Sequence, residues 1–193
     1  VLIHFLAFEG VNIVFTSPFQ FLSLAVSTGM LMGSIVIFPL FIFQLLAFLK
    51  PALSPKEFRN LIILIPVSVL LFISGFIFGA VMMRYVIILF YEKTVSLEIG
   101  NFLDISLLLN QILTTALLMG VAFQFPIAIT ILIKLGIVPY KFFKEKRIFA
   151  YAISLIFAAL LPPTDLLSLV FLTTPLIVLY ELTLFVNRYI FKA

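Results

Sequence analysis

The segment A-F-L-K-P-A-L-S-P-K-E-F-R-N (Ala47–Asn60) interrupts two long apolar runs, and that interruption sets the architecture. It carries three cations (Lys50, Lys56, Arg59), one carboxylate (Glu57) and two prolines (Pro51, Pro55). Proline lacks an N–H and fixes φ, so a helix arriving from the N-terminal side stops near Phe48–Leu49 and does not restart before Pro55. The following helix has Ser54 as its expected N-cap, Pro55 at its first position and Glu57 at its third. Clustered cations between two spans mark the cytoplasmic side of a membrane. Glu57 then has two readings. It is a helix N-terminal acid complementing the dipole, or a carboxylate that docks a cationic segment.

Composition agrees with the flanks. Of 193 residues, 64% are hydrophobic and 10% charged, and the mean hydropathy is +1.34; a soluble domain is about one quarter charged. Long continuous apolar runs satisfy their backbone in lipid only as helices, and the alternating pattern of a β-barrel is absent. The expected fold is therefore an all-α polytopic membrane protein. The net charge of +4 lies in the loops and reads as topology, not as a nucleic-acid surface. Cysteine is absent and His4 is the sole histidine, so disulfides, thiol chemistry and a multi-histidine metal site are excluded and no cofactor is implied. No H-E-x-x-H, G-x-S-x-G or Walker motif occurs, so no catalytic set is assigned.

Outward from the central segment, five spans are expected in one membrane domain covering 1–193, at about 21–49, 61–90, 105–134, 148–161 and 166–187. Residues 1–19 form an extracytoplasmic lead-in. Charge alternates along the chain: Glu9 outside, the Lys50 loop inside, Glu92, Glu98 and Asp104 outside, Lys141–Arg147 inside, Asp165 outside, Lys192 inside. The chain starts within an apolar run without Met, and the odd span count leads to the expectation that a further N-terminal span precedes it. Small residues on the first span (Ser27, Gly29, Gly33, Ser34) and in S-G-F-I-F-G (Ser74–Gly79) permit close helix approach. Pro39 is expected to kink the first span. The fourth span has only about 14 apolar residues, short for a core that wants about 20.

Three polar residues stand out at depth. Glu181 either faces protein or water, or snorkels to the interface. Gln124, two residues before Pro126, either bonds carbonyls that the proline frees or contacts a partner helix. Asp165 either caps the last helix or lies at an extracytoplasmic mouth.

Five runs carry a resemblance: S-P-F (Ser17–Phe19), F-Q-L-L-A-F-L-K-P-A-L-S-P-K-E (Phe43–Glu57), G-V-A-F-Q-F-P (Gly120–Pro126), P-P-T-D-L-L-S (Pro162–Ser168) and P-L-I-V-L-Y-E (Pro175–Glu181). Together they resemble the TatC family, the multispanning receptor subunits of the twin-arginine protein translocase. The resemblance implies a six-span, concave, glove-like bundle whose last two spans are short. It implies a core subunit that binds twin-arginine signal peptides and exports folded proteins using the proton motive force. It matches Glu57, Phe48 and Pro51, with Lys50 beside them, to the signal-peptide site of the first cytoplasmic loop. A carboxylate there suits a pair of guanidinium groups, which it accepts as a bidentate fork. It matches Gln124 to an intramembrane position that is commonly Glu, and Glu181 to a family acid. Asp165 falls within the P-P-T-D run, with Pro162 where Thr is usual. Implied partners are single-span TatA/TatB-type subunits, in hetero- and homo-oligomers, with the plasma membrane of a prokaryote or an organellar membrane as the setting. Judged on residues alone, the alternative is a small-solute transporter or channel subunit with Gln124, Asp165 and Glu181 along a polar path.

Overall fold

Lipid offers the backbone no hydrogen-bond partner, so the apolar runs close their own hydrogen bonds as helices. The computed structural model describes residues 12–14, 19–49, 62–96, 102–162 and 165–189. The helices are α1 (Phe19–Leu49), α2 (Leu64–Ser96), α3 (Ile105–Ala122), α4 (Phe125–Lys134), α5 (Tyr140–Glu145), α6 (Arg147–Leu160) and α7 (Leu166–Tyr189). Four stretches are long and apolar enough to cross a bilayer: Leu22–Gln44, Leu64–Leu89, Leu107–Lys134 and Leu166–Tyr189. The remaining apolar helix, α6, has 14 residues. At ~1.5 Å per residue it extends about 21 Å, short of a hydrocarbon core of about 30 Å. The five expected spans therefore appear as four full-length crossings and one short helix.

Three features depart from the sequence expectations or go beyond them. First, the run 105–134 is two helices, not one. Pro126 removes a donor from the ladder, and the chain turns at Phe123–Gln124 before α4 begins. The Gln124 N–H reaches back to the Val121 carbonyl at 3.0 Å, while the Gln124 carbonyl accepts from Ile127 and Ala128 at 3.0 and 3.1 Å. Second, two short strands, β1 (Asn12–Val14) and β2 (Phe102–Asp104), pair in parallel with Ile13 opposite Leu103. They tie the lead-in to the segment before α3, and three residues are too few to show a period of two. Third, α1 continues as one helix across Pro39, as α7 does across Pro175, and a kink at Pro39 would leave such a span unbroken. The expected N-cap Ser54 and first-turn Pro55 lie outside the described residues.

The packing centre is the α2–α3 pair. Gly75 and Gly79 are one turn apart on α2, and the backbone of α3 closes onto them. A Cβ built on Gly79 would lie 2.8 Å from the Ala116 Cα and 2.9 Å from the Thr115 carbonyl oxygen. Ala116 and Met119 are fully buried beneath this contact. On either side, Ile42, Leu64, Ile127 and Ile131 join α1, α2 and α4, and Met119, Phe123, Ala158, Leu161, Leu172 and Leu176 join α3, α6 and α7. The Thr115 hydroxyl donates to the Pro162 carbonyl at 2.8 Å, which anchors the turn between α6 and α7 against α3. By contrast, no described atom lies within 4 Å of a Cβ built on Gly29 or Gly33 of α1.

Candidate functional site

Glu181 lies on α7, two turns before its end. A carboxylate at that depth needs a partner, and α6 supplies two. Arg147 places Nη1 3.4 Å from Oε2, and the Tyr151 hydroxyl donates to Oε1 at 2.6 Å. Arg147 and Tyr151 are four residues apart, so they share one face of α6. The side chains of Arg147 and Glu181 are each about two-fifths exposed, at 41% and 37%. Glu181 thus turns onto the N-terminal half of α6, beside the basic stretch that precedes it. Beside it, the Tyr180 hydroxyl donates to the Phe143 carbonyl at 2.7 Å, and the Tyr151 and Tyr180 rings meet edge-on at 6.1 Å. These contacts fasten α5 and α6, the most basic part of the chain, to α7.

Gln124 sits at the α3–α4 break and is buried. Its amide does not bond the carbonyls freed by Pro126. It spans to α2, where Oε1 accepts from the Ser68 hydroxyl at 2.6 Å and Nε2 donates to the Ser68 carbonyl at 3.1 Å. Two reciprocal bonds between buried groups fix the register of α2 against the break, because an unmatched polar atom there costs its full desolvation. Asn187, fully buried on α7, is held through its amide nitrogen alone, its Oδ1 having no partner among the described residues. Its Nδ2 donates to the Thr130 Oγ1 at 2.9 Å and to the Thr183 carbonyl at 2.8 Å.

Asp165 caps α7. Its Oδ2 accepts from the Ser168 N–H at 2.9 Å, and its Oδ1 accepts from the Ser168 hydroxyl. Phe48 stands on the last turn of α1 and is 80% exposed. Glu57, Lys50 and Pro51 lie outside the described residues. Among the described residues, the hydrogen bonds and ion pairs of Gln124, Asp165 and Glu181 involve three disjoint sets of partners, so these three form no shared polar path. Residue reasoning missed Ser68, Asn187 and Thr130, which have no sequence signature, and Tyr151. The i,i+4 pairing of Arg147 with Tyr151, on the short helix preceding a lone intramembrane acid, was the available signal.

Fold and site together define a multi-pass helical membrane protein whose neighbouring helices are cross-linked by single polar side chains. A protein family described as Sec-independent protein translocase protein (TatC) matches residues 1–175. The chain belongs to that family. It is 30% identical over 175 residues to the Sec-independent protein translocase protein TatC of Listeria innocua, covering 90% of this chain and 70% of that protein. It is 31% identical over 159 residues to the protein TatCy of Bacillus subtilis, with 82% and 63% covered. It is 34% identical over 161 residues to the TatC of a Blattabacterium, with 83% and 60% covered. The chain thus spans less than two thirds of two of these relatives. A crystal structure of the twin-arginine translocase receptor TatC in DDM superposes with a TM-score of 0.82 at 24% identity, over 96% of this chain and 85% of that one.

Proposed function

We propose that this chain acts as the signal-peptide receptor and core subunit of a twin-arginine translocase. The match of residues 1–175 to the TatC family carries the reading. The chemistry of Ala47–Asn60 supports it. Glu57 is the one carboxylate among the cations of a loop at headgroup level, and paired guanidinium groups are recognised by a carboxylate that accepts both. Phe48, exposed at the end of α1, adds an apolar contact for the hydrophobic part of a signal peptide, with Pro51 and Lys50 shaping the approach.

In this reading the subunit works by binding and assembly, with no chemistry of its own. Folded cargo is drawn across the membrane by the proton motive force, together with single-span TatA/TatB-type subunits. Gln124, Glu181 and Asp165 hold the bundle that presents the loop, and partner helices pack near the later spans. The test is photo-crosslinking from Phe48 or Glu57 to a twin-arginine signal peptide in membranes, with a twin-lysine peptide as control. Adducts that form with arginine and vanish with lysine are expected, and Glu57→Lys should abolish them while the protein stays inserted. Equal adducts with both peptides, or binding undiminished by Glu57→Lys, would remove the loop from the recognition site.

A further inference from the structure

We propose that the cleft walled by α4, α6 and α7 holds one acyl chain of an anionic phospholipid, with the headgroup seated at Lys146. The cleft has a volume of about 630 Å³, within the range of small-molecule sites. Its walls are apolar, from Ile129 on α4 through Phe143 on α5 and Phe149 and Phe157 on α6 to Leu176 on α7. Besides Lys146, its polar side chains are Tyr180 and Ser154. Both hydroxyl protons are already used within the wall, on the Phe143 and Ala150 carbonyls. No side-chain donor is left inside for a polar guest, so the inserted part of the occupant is hydrocarbon.

Charge selects the other end. Lys146 stands at the cleft with Nζ 5.3 Å from the Phe149 ring centroid. Neighbouring cations are engaged, Arg147 by Glu181 and Lys141 by Glu145, whereas Lys144 and Lys146 have no carboxylate partner among the described residues. The stretch belongs to the most basic loop, on the side where anionic lipids enrich, and a basic pocket between helices on that side suits a phosphate headgroup.

The test uses the purified chain in detergent, titrated with phosphatidylglycerol or phosphatidylcholine and read by native mass spectrometry. One phosphatidylglycerol per chain is expected, retained in preference to phosphatidylcholine. Lys146→Glu should weaken phosphatidylglycerol about fivefold or more and leave phosphatidylcholine unchanged. Ala150→Phe, filling the cleft from α6, should abolish the stoichiometric adduct. A photo-reactive residue at Phe157 keeps the question open to test should Ala150→Phe misfold; it should yield an anionic phospholipid adduct in native membranes, while one at the outward Ile156 shows no headgroup preference. Equal retention of the two lipids, indifference to Lys146→Glu, or a Phe157 adduct to a single-span protein would overturn the proposal.

Discussion

Replacing Gly79 by alanine tests the helix contact on which the bundle is built. The new Cβ would lie 2.8 Å from the Ala116 Cα, 2.9 Å from the Thr115 oxygen and 3.0 Å from the Met119 Cβ. Carbon pairs prefer about 3.5–4.0 Å, so α2 and α3 must part by roughly 0.7–1 Å. Two of the three obstacles are backbone atoms, which no rotamer change can move. A gap of ~0.5–1 Å forfeits a quarter to a half of each dispersion contact along the seam, and overpacking of this kind costs about 1–3 kcal/mol. The alanine's own helix preference returns at most about 0.5–1 kcal/mol. At Gly29, where no described atom lies within 4 Å of the built Cβ, only that gain remains, so Gly29→Ala should be neutral or stabilising by up to about 1 kcal/mol. Thermal unfolding in detergent, followed by far-UV circular dichroism, resolves the pair, since 1 kcal/mol moves the midpoint about 2–4 °C in a chain of this size. The expected result is a fall for Gly79→Ala and no fall for Gly29→Ala. An unchanged midpoint for Gly79→Ala, or an equal loss at Gly29, would refute the close α2–α3 approach.

Further outcomes follow from the polar cross-links. Ser68→Ala should cost about 1–3 kcal/mol, because it strands the buried Gln124 Oε1 without its donor; a double-mutant cycle with Gln124→Leu should show coupling, and strict additivity would mean the two side chains do not meet. For the Glu181 cluster, the cycle Tyr151→Phe with Glu181→Leu should give a coupling near 1 kcal/mol, reduced by partial solvent exposure. Arg147→Ala should cost less than Tyr151→Phe, since the ion pair at 3.4 Å is longer and exposed, and the reverse order in the same denaturation assay would contradict that ranking.

Much of this protein was legible in its sequence, and the reason is physical. Whether a stretch enters lipid as a helix depends on its own composition, because the backbone hydrogen bonds of a spanning helix are all local. Which loops stay inside depends on where lysine and arginine sit, again a property of each segment alone. Hence the helical membrane class and the family motifs could be read before any fold was known, and the cytoplasmic placing of Ala47–Asn60 is an expectation of the same local kind. The candidate recognition residues Glu57, Lys50 and Pro51 rest on that reading.

The polar and packing contacts are another matter, because they are distances between positions far apart in the chain. Gln124 meets Ser68 across 56 residues, and Glu181 meets Tyr151 across 30. Nothing local to Gln124 distinguishes a bond to the carbonyls freed by Pro126 from a bond to α2. Nothing local to Gly79 distinguishes it from Gly29, although α3 closes on one and no described atom reaches the other. The break at Phe123–Gln124 lies between these cases. Pro126 announces a disturbed ladder, but which neighbour the Gln124 amide meets at the bend is decided across the bundle, by Ser68 on α2.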